Sequence, residues 1–345
     1  MSKTAPAANA IYAKAHSKYG RRLTPENYRD LLACQSVPDI ASFLKSHTRY
    51  AEALTDTKDG NVHRGHLESL LRRYLFRESE KLCSFEHSVG EPFYEYLILQ
   101  GEIAQILTFI RYYDAGKPEE FIFAMQPYIE EHGRVDLTLL SGARSLADAL
   151  RALEHTPFYA VLSPLVGEKN ISYTDIEHAL YTYLYRRAHV LAARDPGAAA
   201  EITALIDAYI ELDNVSRIYR MKEYFHAPAD KIRPYLFEYA GRIKADDIEQ
   251  MLAASSGAEV FRVFKTTPYR REIEKCDSDS LPDCIARIRY NLFRHSFRFS
   301  NHPTVAIYTY IHLAKTEVDN IVTIIEGVRY GVSADEIKPL LIGVN

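Results

Sequence analysis

Ser256-Gly257-Ala258-Glu259-Val260-Phe261-Arg262-Val263-Phe264 runs into the turn Thr267-Pro268-Tyr269, and the same passage stands twice more upstream. Ser145-Leu146-Ala147-Asp148 leads to Thr156-Pro157-Phe158-Tyr159, and Ser36-Val37-Pro38-Asp39 leads to Thr48-Arg49-Tyr50. A serine oxygen accepts from the free amides of a helix's first turn, and an acid three residues on can reach back. Each box therefore starts a short helix. Proline at two of the three turns reads as a helix stop, because it cannot continue the ladder.

Other landmarks keep the same order around these boxes. Gly20-Arg21, Gly133-Arg134 and Gly241-Arg242 open the three stretches. Tyr74-Leu75-Phe76-Arg77, Tyr183-Leu184-Tyr185-Arg186 and Asn291-Leu292-Phe293-Arg294 mark a longer helix. A second long helix carries Glu102-Ile103-x-x-Ile106, Asn214-Val215-x-x-Ile218 and Asn320-Ile321-x-x-Ile324, each followed by a tyrosine (Tyr112, Tyr224, Tyr330). Pro127-Tyr128-Ile129, Pro234-Tyr235-Leu236 and Pro339-Leu340-Leu341 close the units. The repeat recurs about every 110 residues, an ordinary domain size.

Apolar residues in the long segments fall at i, i+3, i+4 and i+7, as in Leu67, Leu70, Leu71, Tyr74 and Leu75, and again in Ile202, Leu205, Ile206 and Tyr209. No alternating strand pattern competes. The expected fold is all-α: an N-terminal helix within residues 1–19, then three homologous helical lobes at 20–132, 133–240 and 241–345. Three such lobes can close into a pseudo-threefold ring or funnel, or string out as a solenoid. Their length exceeds the roughly 20–50 residues of common solenoid repeats, which favours a compact arrangement.

Composition narrows the function. Of 345 residues, 47% are apolar, so a large core is available, and the net charge is only −4. Bulk binding to nucleic acid rests on neutralising phosphates and is not expected. The four cysteines, Cys34, Cys83, Cys276 and Cys284, form no CxxC pair and read as reduced, buried thiols. The first residues lack the apolar stretch of a signal peptide. The most apolar run, Tyr94 to Ile110, is interrupted by Gln100, Gly101, Glu102 and Gln105, whereas a membrane span needs roughly 20 apolar residues. Any work at a membrane is done from the water side.

Catalytic and ligand motifs are missing. Ala115-Gly116-Lys117-Pro118 lacks the first glycine and the Ser/Thr of a phosphate loop and reads as a helix-ending turn, so ATP binding is not expected. His63 and His66 share a helical face, but no third or fourth zinc ligand accompanies them. Ser42-x-x-Lys45 has none of the companion motifs of a serine hydrolase of that type, and no GxSxG elbow occurs. The segment Arg287, Arg289, Tyr290, Phe293, Arg294, His295, Phe297, Arg298 could stack bases. Related residues stand at the same place in the other repeats, which favours a buried aromatic stripe with an arginine edge. Contact with a partner or with lipid head groups is the competing reading. No catalytic residue, cofactor or metal is expected. The 25 tyrosines and absent tryptophan suit a scaffold rich in interfaces.

The stretch from Glu317 to Gly331, Ile337 to Ile342, and Tyr12-Ala13, Leu31-Leu32 and Ser36 to Tyr50 resemble the C-subunit family of V-type and A-type ATPases (ATP synthases), whose eukaryotic member is called d. The likeness spans essentially the whole chain. It implies a funnel of three helical lobes that receives the central stalk, subunits D and F, and sits on the cytoplasmic loops of the membrane c-ring. It implies a non-catalytic rotor part, peripheral on the cytoplasmic side of a membrane, carrying torque between ATP chemistry and ion transport. The sequence departs from exact threefold form where Arg49 replaces the turn proline and where Glu102 stands against Asn214 and Asn320. Arg77, Arg186 and Arg294 are the interface candidates. An unrelated cytosolic helical adaptor would share the repeat but not the ATPase partners.

Overall fold

A computed structural model describes residues 5–55, 57, 62–83, 87–166, 171–276 and 278–344; side chains are not described for 5–8, 87–93 and 127. Among these residues all regular structure is helical and no strand occurs. The first repeat region holds α1 (Ala5–Gly20), α2 (Pro25–Ala33), α3 (Val37–His47), α4 (Arg64–Cys83) and the long α5 (His87–Asp114). Next come α6 (Pro127–Glu130), α7 (Leu137–Gly142), α8 (Leu146–Ala152), α9 (Pro157–Val166), α10 (Tyr173–Ala192) and the long α11 (Ala199–Phe225). The last region holds α12 (Ala229–Ile232), α13 (Ala245–Ala253), α14 (Gly257–Phe264), α15 (Arg270–Ile273), α16 (Leu281–Phe299), α17 (Pro303–Arg329) and α18 (Ala334–Ile337).

The serine boxes start α3, α8 and α14. Ser36, Ser145 and Ser256 accept from the amides of Asp39, Asp148 and Glu259, the geometry that satisfies an orphan donor. The return contact falls one residue earlier than a standard box in two of the three. Asp148 accepts from the Arg144 amide at 3.2 Å, and Glu259 accepts from the Ser255 amide at 2.7 Å.

The turns after these helices are one device. Thr48, Thr156 and Thr267 each donate back to the preceding helix, to Leu44 O (2.6 Å), Leu153 O (2.8 Å) and Phe264 O (2.7 Å). Each hydroxyl also accepts the amide two residues on, from Tyr50, Phe158 and Tyr269. That bend drives the aromatic ring of Tyr50, Phe158 or Tyr269 into complete burial. Pro157 differs from the expected stop. It is the first residue of α9, where its missing amide is one that a helix start leaves unpaired in any case.

The chain divides into two compact units, residues 1–90 with 195–345 and residues 91–194. In the larger unit α17 packs against α1, α4 and α16, and α11 packs against α14 and α16. Its 27 residues are buried on almost every side, so α17 is a central core helix and not an amphipathic surface one. One core joins Leu31, Ile40, Leu44, Tyr50 and Leu71 from the beginning of the chain to Ile321, Ile324 and Ile337 from its end. A second joins Leu212, Val215 and Ile218 of α11 to Met251, Val260, Phe264, Tyr269 and Ile285. Each core thus combines the last long helix of one repeat with the short helices of another. In the smaller unit α7, α8, α9 and α10 pack in succession. Ile106, Phe109, Leu140, Leu153, Phe158 and Ile176 are buried there, with Phe109 edge-on to Phe121 at 5.6 Å.

Candidate functional site

The most distinctive polar chemistry is a buried glutamate on each of the three long helices. Glu102 of α5, Glu211 of α11 and Glu317 of α17 are 1%, 0% and 7% exposed. Each accepts the backbone amide just before a following short helix: Val135 N at 3.0 Å, Ile243 N at 2.6 Å and Leu23 N at 2.8 Å. A carboxylate taking backbone donors in a dry interior is a strong pin, because its hydrogen bonds are charge-assisted.

This geometry shifts the repeat register read from sequence. Glu102 is the counterpart of Glu211 and Glu317, and not of Asn214 and Asn320. Those two asparagines align with Gln105, so the motif is Glu-x-x-[Asn/Gln], and its constant spacing is the signal that sequence reading passed over. Asn214 accepts from Phe237 N at 2.9 Å and donates to Phe237 O at 2.8 Å. Asn320 treats Ile342 the same way, at 2.9 and 2.8 Å. Gln105 instead accepts from Gln126 N at 3.0 Å.

The glycines follow from the clamp. A Cβ at Gly133 would lie 2.7 Å from Glu102 Oε1, and one at Gly241 would overlap Glu211 and Tyr239. Around Gly20 the same position is open, so that glycine is not their counterpart; Leu23 matches Val135 and Ile243 by contact, which places Arg21 at the glycine position.

The second carboxylate oxygen separates the three sites. Tyr269 donates its hydroxyl to Glu211 at 2.6 Å, and Tyr50 donates to Glu317 at 2.8 Å. In the remaining repeat the turn aromatic is Phe158, which has no hydroxyl, and Glu102 Oε2 is left buried without a hydrogen-bond partner. Burial accordingly pushes the Glu102 carboxyl above the ordinary carboxylate range, against the pull of the Arg134 and Val135 amides. Arg49, standing where the other turns have proline, ion-pairs with Glu317 at 2.8 Å and donates to Lys18 O at 3.3 Å. Its departure from the repeat is used: it neutralises one buried glutamate and ties α1 to it.

Of the interface candidates, Arg77 on α4, Arg186 on α10 and Arg294 on α16 are all exposed. Arg77 and Arg294 belong to the larger unit and Arg186 to the smaller. In the basic segment of α16, Phe293 and Phe297 are buried. Arg287 donates to Pro339 O at 2.8 Å, and Arg289 donates to Tyr209 O at 3.2 Å while covering the Tyr209 ring. The stripe is therefore packing; among the described residues Arg294 and Arg298 have no ion pair or hydrogen bond, and Arg298 lies over the Phe299 ring at 5.6 Å. Cys83, Cys276 and Cys284 are buried free thiols, and Cys34 is half-buried. Among the described residues no group of three or more His, Cys, Asp or Glu could hold a metal ion.

The family described as ATP synthase (C/AC39) subunit matches residues 11–340. The chain belongs to that family. Two curated relatives are both named as the C subunit of an A-type ATP synthase. The protein of Methanosphaera stadtmanae is 21% identical over 350 residues, covering 96% of this chain and 86% of its own. That of Archaeoglobus fulgidus is 24% identical over 331 residues, covering 95% of this chain and 94% of its own. The match takes in all three glutamate clamps of this C/AC39 protein, so the clamps lie inside the family's shared span. In it, no helix among the described residues is long and apolar enough to cross a membrane.

Proposed function

We propose that this C/AC39 protein is the non-catalytic rotor part that joins the central stalk, subunits D and F, to the membrane c-ring and carries torque between ATP chemistry and ion transport. The carrying observation is the family match over residues 11–340. The physical design agrees with it. Torque transmission needs a body that does not yield, and close-packed helices stapled by buried carboxylate clamps resist shear because dense interiors transmit strain. The three repeats at 20–132, 133–240 and 241–345 serve as three lobes of a pseudo-threefold funnel. The protein is peripheral, on the cytoplasmic side of the membrane.

Arg77, Arg186 and Arg294 are contact residues in this reading. Exposed aromatics at helix ends (Phe123 at 87%, Phe225 and Tyr330 both at 71%) suit further contact, since large exposed apolar groups mark interaction surfaces. The test is reconstitution of the purified chain with c-ring and with the D–F stalk. Co-migration with both supports the rotor role, and a chain that binds neither refutes it. Reversing charge at Arg77, Arg186 and Arg294 together is expected to lower coupled ion transport. Full coupling in that triple variant removes these residues from the interface.

A further inference from the structure

We infer that an arginine-walled pocket at the junction of α1, α2 and α16 binds a phosphate-bearing anion. The pocket is open and encloses about 450 Å³, within the roughly 300–1,000 Å³ of small-molecule sites. Arg22, Arg294 and Arg298 stand around it. None of the three is in an ion pair with a carboxylate among the described residues, and no acidic side chain lines the pocket. Three arginines lining one concavity, with Arg298 also lying over the Phe299 ring at 5.6 Å, set a positive field there without a carboxylate to offset it, and their flat forks match phosphate oxygens two at a time.

The pocket is built, not merely basic. Tyr19 and Tyr290 meet hydroxyl to hydroxyl at 3.4 Å, and Arg22 lies over the Tyr19 ring at 4.5 Å while donating to Tyr19 O. His16 stacks on Phe297 at 4.2 Å, and its Nε2 has no hydrogen-bond partner although that atom is buried. Gly343, at φ +71°, brings backbone against the Tyr290 ring where any side chain would collide. An adjoining smaller cavity leads to Glu317, but Arg49, Tyr50 and Leu23 already take up that carboxylate. The aromatic walls beside the guanidiniums also offer a face to a planar ring attached to the phosphate.

The inference goes beyond the rotor reading and does not depend on it. Its test uses the full chain, titrated calorimetrically with sodium pyrophosphate, ATP and citrate. In parallel the chain is floated with phosphatidylcholine vesicles with and without phosphatidylinositol phosphate. Saturable binding of pyrophosphate or ATP assigns the site to a soluble phosphate compound. Binding confined to the phosphoinositide vesicles assigns it to a lipid headgroup. In either case Arg294→Gln with Arg298→Gln weakens binding at least about tenfold per guanidinium removed, and the net-charge control Arg271→Gln does not. Absence of binding to every phosphate probe overturns the inference. So does citrate binding as tight as pyrophosphate, or equal loss in the Arg271 variant.

Discussion

Phe158→Tyr should make the protein more stable, although it adds a polar atom to a fully buried site. In the two equivalent turns a tyrosine hydroxyl reaches the second oxygen of the clamp glutamate, at 2.6 Å to Glu211 and 2.8 Å to Glu317. Phe158 leaves Glu102 Oε2 without that donor. A hydrogen bond to a buried charged group contributes about 2 kcal/mol. Seating one extra oxygen in a filled pocket takes back about 1 kcal/mol. The expected net gain is about 1 kcal/mol, a rise of roughly 1–2 °C in melting temperature for a chain of this size. Thermal unfolding followed by circular dichroism reads it directly. The gain should vanish in a Glu102→Met background, where no carboxylate remains to accept the hydroxyl. Tyr269→Phe should move the other way by about 1–3 kcal/mol, because it orphans Glu211 Oε2, and Tyr50→Phe by about 1 kcal/mol, because Arg49 still holds the same Glu317 oxygen. If those two variants lose stability while Phe158→Tyr gains nothing, the equivalence of the three clamps is wrong.

Further outcomes follow from the same contacts. Arg49→Ala should cost about 3–5 kcal/mol in urea unfolding, because Glu317 is then a buried charge without its cation, and Arg49→Pro should not rescue it. Asn214→Ala should cost about 2–3 kcal/mol by removing both bonds to Phe237, with faster hydrogen exchange at the Phe237 amide as the local readout. His312 is held neutral, its pKa lowered to about 3 by burial first and by Lys315 and Arg289 next. The unfolded chain takes up a proton near pH 6.5 and the folded one does not, so stability present above that pH is lost as pH falls below it. Acidification from pH 7 to 5 should remove about 1–2 kcal/mol through this residue, and His312→Phe, which keeps the ring stacked 4.2 Å from Phe293, should flatten that part of the pH profile.

The all-helical class was legible because it is local. The 3.6-residue spacing of Leu67, Leu70, Leu71 and Tyr74 and the caps at Ser36, Ser145 and Ser256 act within one or two turns of chain, and the structure places helices where they say. The three turn motifs were visible as pattern for the same reason, whereas the burial of Tyr50, Phe158 and Tyr269 emerged only with the packing. The clamps were not. Glu102, Glu211 and Glu317 resemble surface acids until partners more than thirty residues away are brought to them, which is why the sequence comparison set Glu102 against the wrong neighbours.

The sequence by itself therefore determined helices, repeat and membership of a scaffold class, since those depend on spacing along the chain. Tertiary structure decided which charges are pinned and which are free. Arg49 became an internal counter-ion, Arg287 and Arg289 became struts, and Arg22, Arg294 and Arg298 were left facing an open pocket. Nothing in an arginine's neighbours in sequence distinguishes these fates, because a guanidinium's role is set by the distance to an acceptor that folding alone supplies.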